Sequence, residues 1–192
     1  MKRIDKENIK VNQWAGGATK EFYIYPEGSL LKNRDFLFRI SSASSNLSLS
    51  EFSNFDGYQR ILVVLEGHIK LVHNQQRHVS LSPFEQDHFN GEDSTECYGA
   101  MVDFNVITRK NLYHSVEVLH LDNDTIGFVP NLKKEGNHFI FLYVAQGSIS
   151  IEHSSEKIEL LKGDLCELVS IEEAYELSAD EKAVGMIIHV IV

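Results

Sequence analysis

The chain has little proline and less cysteine: Pro26, Pro83 and Pro130, then Cys97 and Cys166, in 192 residues. Two cysteines outside any C-x-x-C pattern build neither a disulfide framework nor a thiolate metal site, so both read as free thiols. No Pro/Gly/Ser-rich run divides the chain. No apolar run approaches the roughly 18 residues of a membrane-spanning helix, and the opening MKRIDKENIKV lacks the apolar core of a secretion signal. The expectation is a cytoplasmic protein with no membrane partner. Positive charge is scarce as well, with 18 Lys and Arg against 28 Asp and Glu, a net charge of −10 and no Lys/Arg block. That balance excludes a nucleic-acid binder, which needs a basic face to neutralise phosphates. In such a chain an arginine turned into a pocket is an exception in sign, suited to capturing a small anion.

What is present is β-pattern. Hydrophobic content of 43% with 24% charged residues is ordinary for a globular protein, and convincing amphipathic helices are scarce. Residues 1–36 show no regular period; Gly16-Gly17 breaks the chain after Trp14, and Pro26-Glu27-Gly28 marks a turn. From Phe38 the alternation of Phe38-Arg39-Ile40-Ser41 predicts a half-buried strand. Ile69-Lys70-Leu71-Val72-His73 alternates again, Asn74-Gln75-Gln76 reads as a hairpin turn, and His78–Leu81 as the return strand. A longer strand is expected from Tyr98 to Ile107. The stretch Glu51 to Gly67, EFSNFDGYQRILVVLEG, stands at the centre. Its aromatic, turn-rich first half delivers Arg60 to the start of the apolar run Ile61–Leu65, where a guanidinium must face solvent or find an anionic partner.

The second half repeats the first. VVLEGHIKLVHNQQRHVSLSPFE from Val63 matches YVAQGSISIEHSSEKIELLKGDL from Tyr143, with Gly67 and Gly147 spaced by 80 residues (147 − 67). His73 and His153, and Leu81 and Leu161, keep the same spacing. A repeat of this length points to a duplicated domain-sized unit rather than a solenoid. Strand, Gly turn, strand, hairpin, strand fits half of a jelly roll. The Leu-Glu-Gly-x-Ile-x-Leu pattern with its hairpin resembles cupins, and Leu-Leu-Lys-Gly-Asp-Leu in the second copy resembles them more closely. The expected architecture is therefore all-β, a bicupin of two jelly-roll barrels packed as one body, with halves at 1–110 and 111–192. Arg60 has no arginine counterpart in the second copy, where Ile140 stands at its position.

Candidate chemistry is sparse. His68, His73, His78 and His88 in the first copy and His138 and His153 in the second contain no His-x-His pair, the arrangement by which a strand converges ligands on a metal. His73 and His78 flank a hairpin and are placed to face each other, which a solvated hairpin explains equally well. There is no Gly-x-Ser-x-Gly elbow and no phosphate-binding glycine loop. More informative are Arg39, Arg60, Asp103 and Asn105. The last two share one face of a strand because the side-chain period is two. Two readings stay open: an Arg–Asp pair closing one end of a barrel, or a pocket in which Arg60 holds a carboxylate and Asn105 reads an amide or carbonyl.

Six segments taken together resemble the HutD/Ves family: Trp14–Thr19, Phe38–Ala43, Phe52–Arg60, Leu65–Gly67, His88–Gly91 and Asp103–Val106. They occur in the family's order over roughly residues 12–110, with the second half matching more loosely. The family's Asn-Gly-Gly-Gly-x-Thr block stands here as Ala-Gly-Gly-Ala-Thr. The resemblance implies a bicupin without an established enzymatic activity or cofactor. It also implies a small carboxylate ligand, such as formylglutamate or formiminoglutamate, and a regulatory role in histidine utilisation. By position, Arg60 and Arg39 would bind the anion, Asp103 and Asn105 would line the same pocket, and Trp14, Thr19, Phe55 and Phe89 would form its walls. Gly16, Gly17, Gly57 and Gly91 would support it. A homodimer is compatible with this reading. The alternative is a metal-dependent cupin enzyme, a dioxygenase or isomerase.

Overall fold

A computed structural model describes residues 1–5, 7, 9–130, 133–170 and 172–192. Among them strands predominate, with one short 3-10 turn at Leu31–Asn33, no α-helix and hence no helix long and apolar enough to cross a membrane. It divides into two compact units, residues 9–111 and residues 1–8 with 112–192. The first eight residues thus go with the second unit, where β1 (Lys2–Arg3) pairs with β16 (Leu165–Leu168).

The unit of residues 9–111 is a jelly-roll barrel of two sheets. One has six strands: β2 (Lys10–Trp14), β3 (Gly17–Tyr25), β4 (Phe38–Ser45), β11 (Met101–Arg109), β6 (Tyr58–Glu66) and β9 (Gln86–Asn90), in that spatial order. The other has four: β5 (Leu49–Glu51), β10 (Thr95–Tyr98), β7 (Ile69–His73) and β8 (Arg77–Leu81). The apolar run of β6 is buried on both faces, which is why it reads as continuous rather than alternating. Leu62 and Val64 meet Leu71, Leu81, Phe89 and Cys97 in the barrel core. The turn at Asn74-Gln75, both with positive φ, closes the β7–β8 hairpin as expected.

Two stretches differ from the expectation. Residues 1–36, read as aperiodic, contain the hairpin of β2 and β3. All five residues of β2 are exposed, and β3 carries a register shift between Glu21 and Tyr23. An edge strand without a buried face and a bulged strand each erase the two-residue period. The strand expected from Tyr98 to Ile107 is broken at Gly99-Ala100 into β10 and β11, which serve different sheets.

The second unit repeats this plan with fewer breaks. β13 (His138–Gln146) occupies the place of β6, and the hairpin β14 (Ser148–His153) and β15 (Glu156–Leu161) that of β7 and β8. β17 (Tyr175–Ile191) runs unbroken where the first unit has β10 and β11, pairing with β14 at one end and β13 at the other. β12 (Tyr113–Phe128) follows β17 along its length, as β4 and β5 follow β11 and β10. The fold is thus two cupin-like barrels. Their interiors differ: where Arg60, Asn105 and Asp103 stand in the first, the register of β13 and β17 places Ile140, Ile187 and Gly185. Ile140 and Ile187 are buried in a core with Leu142, Val144 and Leu177.

This difference has a measurable consequence. Ile140→Arg puts a guanidinium into a largely apolar core beside His189, which is already paired with His138, so it should destabilise the protein by at least about 3 kcal/mol in urea unfolding. A loss below about 1 kcal/mol would mean the second barrel tolerates the charge that the first one houses.

Candidate functional site

The inner face of the six-stranded sheet is laid out in rows by its register. One row runs Arg39, Ile107, Arg60 and Phe89 across β4, β11, β6 and β9; the next runs Glu21, Ser41, Asn105 and Leu62; a third runs Thr19, Ala43, Asp103 and Val64. These alternate positions face one way because successive strand residues face opposite sides. The opposite face of β11, at Phe104 and Val106, is fully buried. Beside the inward polar face lies a cavity of about 680 Å³, within the range of small-molecule sites. The β2–β3 hairpin contributes Lys10, Trp14, Thr19 and Glu21, and the loop after β5 contributes Phe52, Ser53 and Phe55.

Arg60 is 7% exposed, and its partners are neutral. Its Nε and Nη2 both donate to Asn105 Oδ1 at 3.2 Å, and Nη1 reaches the Ser53 carbonyl at 3.5 Å. Three rings surround the guanidinium, Phe52 at 4.9 Å, Phe89 at 5.1 Å and Phe55 at 5.9 Å from the ring centroids, a favourable setting for a cation stripped of water. Among the described residues no carboxylate oxygen lies within 4.0 Å of it. Arg39 is held differently. Its Nε forms an ion pair with Glu21 at 2.7 Å, and Nη1 donates to Ser41 Oγ at 2.8 Å.

Asp103 completes the polar chain. Its Oδ1 accepts from the Ala43 backbone N–H at 3.1 Å. By register Asn105 lies in the row between Arg60 and Asp103, and its Oδ1 is taken up by Arg60. Burial raises Asp103 to about 6, against the opposing pull of the Ala43 N–H, Arg60, Asn105 and Arg39. Burial likewise lowers Arg60 to about 10, with Asp103 opposing and Arg39 adding to the fall.

The residues singled out from the sequence fall into three groups here. Arg39, Arg60, Asp103, Asn105, Trp14, Thr19 and Phe55 line the one cavity. Phe89 stands behind it, as cross-strand neighbour of Arg60 and member of the barrel core. The glycines act through backbone spacing. A Cβ on Gly17 would stand 1.7 Å from the Ser44 carbonyl oxygen, so it is strand β4 that approaches there. A Cβ on Gly91 would stand 2.3 Å from the Phe55 carbonyl oxygen, where the Phe55 N–H donates to the Gly91 carbonyl at 2.6 Å; this fastens the aromatic loop over Arg60. Gly57 lies in the turn before β6, and Gly16 beneath Trp14 and Leu47. Glu21, Ser41 and Phe52 were not foreseen. The bulge in β3 hid the phase of Glu21, whereas Ser41 was legible from its two-residue offset from Arg39.

His73 and His78 do not face each other. The register pairs His73 with Arg77 and His78 with Val72. His73 turns inward between Thr95 at 2.9 Å and Asp87 at 2.8 Å, while His78 is exposed. Among the described residues no three His, Cys, Asp or Glu side chains gather as metal ligands would.

Comparison with known proteins places these features in context. The family model described as HutD matches residues 6–186. Protein Ves of Escherichia fergusonii is 33% identical over 118 residues, 58% of this chain; the match spans 59% of that relative's length. A conserved protein of unknown function from Pseudomonas aeruginosa PAO1 has a similar structure, with TM-score 0.82 and 21% identity over 100% of this chain and 98% of that one. HutD from Pseudomonas fluorescens SBW25, solved in a formate condition, gives TM-score 0.68 and 19% identity over 97% and 96%.

The site's electrostatics predict a stability signature. Between about pH 4 and 6, folded Asp103, raised to about 6, holds a proton that the unfolded chain, with an ordinary carboxyl near 3.8, has lost. Its contribution is therefore complete below about pH 4 and is lost as pH rises through about 6. Asp103→Asn mimics the protonated group, so in urea unfolding at pH 7.5 the variant should be more stable than wild type by on the order of 2 kcal/mol. The advantage should shrink at pH 4.5. An Asp103→Asn protein less stable than wild type at pH 7.5 would contradict the assignment.

Proposed function

The chain belongs to the HutD family, and from that premise and the chemistry of the pocket we propose that it is a non-catalytic binder of a small carboxylate metabolite. The observation that carries the proposal is Arg60, a buried guanidinium in a cavity wall whose hydrogen-bond partners are all neutral. A guanidinium presents a planar fork of N–H donors. Here one edge is committed to Asn105, and Nη1 has only the long contact to Ser53. A carboxylate supplies the charge-assisted acceptor that this arginine lacks. Phe52, Phe55 and Trp14 offer apolar walls to the body of such a ligand.

Lys10 and Lys32 also line the cavity. Lys10 is largely exposed and only 4.0 Å from Glu21. A ligand with a second carboxylate directed outward would meet positive charge there, which favours formylglutamate- or formiminoglutamate-like dicarboxylates. Binding such an intermediate would suit a role in regulating histidine utilisation. Nothing in the reading requires a bond to be broken.

A ligand that binds only the folded protein stabilises it by about 2.7 kcal/mol at a hundredfold excess over Kd. N-formyl-L-glutamate should therefore raise the thermal midpoint of wild type by several degrees, and Arg60→Ala should abolish that rise. Formate belongs in the same panel as the smallest carboxylate. If neither these acids nor others of histidine breakdown move the wild-type midpoint, the ligand class is wrong.

A further inference from the structure

Taken as a set, the buried charges of the pocket sum to zero. Arg39 is matched by Glu21 at 2.7 Å, and Arg60 is matched at one remove by Asp103, with Asn105 between them. An anion arriving at Arg60 upsets this sum. The guanidinium would face the ligand on one side and an ionised Asp103 through Asn105 on the other. Two anions and one cation would then share a site shielded from water, where like charges repel far more strongly than in solvent.

The groups around Asp103 offer one way to restore neutrality. Arg60 on β6 and Arg39 on β4 are fixed cations, and Glu21 on β3 is committed to Arg39. Glu51 at the end of β5, with Lys10 on β2 and Lys32, lies at the exposed rim, where water screens it. Cys97 on β10 is buried and stays a neutral thiol, burial pushing it up to about 11. Asp103 remains as the group able to change charge beside Arg60 near neutral pH.

We infer that the carboxylate enters this pocket together with one proton from solvent, which Asp103 receives. Resting on the carboxylate reading above, this makes Asp103 the residue that sets the ligand's charge class: the site takes an anion as its neutral acid equivalent. The Ala43 N–H holds the Asp103 carboxyl in place. Burial, which already lifts this carboxyl to about 6 in the free protein, favours the transfer. Occupation of Arg60 would remove part of the cation's opposing pull and lift it further.

Calorimetric titration of the full chain with N-formyl-L-glutamate, in two buffers of different ionisation enthalpy, counts the protons taken up. Uptake should approach one per ligand at pH 7.5 and fall towards zero at pH 5, where Asp103 already carries its proton. Between pH 6.5 and 8 the affinity should weaken by about tenfold, the limit for one linked proton being tenfold per pH unit. Asp103→Asn should bind with no uptake and a flat pH profile, more tightly than wild type at pH 8. Binding without uptake at pH 7.5, or uptake that persists in Asp103→Asn, overturns the inference while leaving the carboxylate site intact. Absence of any binding at either pH sinks the carboxylate site and this inference together. The wild-type proton count decides the matter even if the variant fails to fold.

Discussion

A guanidinium taken out of water must be held by something, and in this protein Arg60 is held by an amide. Asn105 accepts from two of its nitrogens, and Phe52, Phe55 and Phe89 enclose it. A carboxylate in direct contact would have neutralised the charge and closed the barrel end with an ordinary ion pair. An amide satisfies the hydrogen bonds and leaves the charge uncancelled at short range. The other features of the site follow from this. Asp103 sits one residue further along the same face, close enough to keep the cation tolerable and separated enough to leave it available. Arg39, by contrast, is closed off by Glu21.

The duplicated scaffold shows what that arrangement requires. In the second barrel the same register positions hold Ile140, Ile187 and Gly185 in a largely apolar core, with the buried His189 beside Ile140. Continuous strands β12 and β17 run through it, whereas in the first barrel the corresponding paths are broken into β4 and β5, β10 and β11. In the first barrel the segment after β5 carries Phe52 and Phe55 to the cavity beside Arg60. One copy of the fold has a largely apolar core, and the other has a charged cavity with an aromatic loop beside it.

Much of this was legible in the residues. The strand-hairpin-strand repeat at a spacing of 80 and the missing counterpart of Arg60 both survive in the register of β6 and β13. Asp103 and Asn105 share a face because a strand's period demands it. Other parts were hidden for physical reasons. The hairpin of β2 and β3 has an exposed strand and a bulge, so Glu21, the partner of Arg39, carried no periodic mark. Phe52 reads from sequence as one more loop aromatic; only the fold brings it over the guanidinium. His73 looked available beside a hairpin, yet strand alternation points it inward to Asp87 and Thr95.

The central claim is that Arg60 is an anion-binding cation rather than a structural one, and a crystal structure of wild type soaked with formate addresses it most directly. A carboxylate whose oxygens lie within hydrogen-bonding distance of the free edge of the Arg60 guanidinium, with Asn105 still on the other edge, is the predicted result. A guanidinium turned onto Asp103 with side chains filling the cavity, or formate bound only elsewhere, would contradict it.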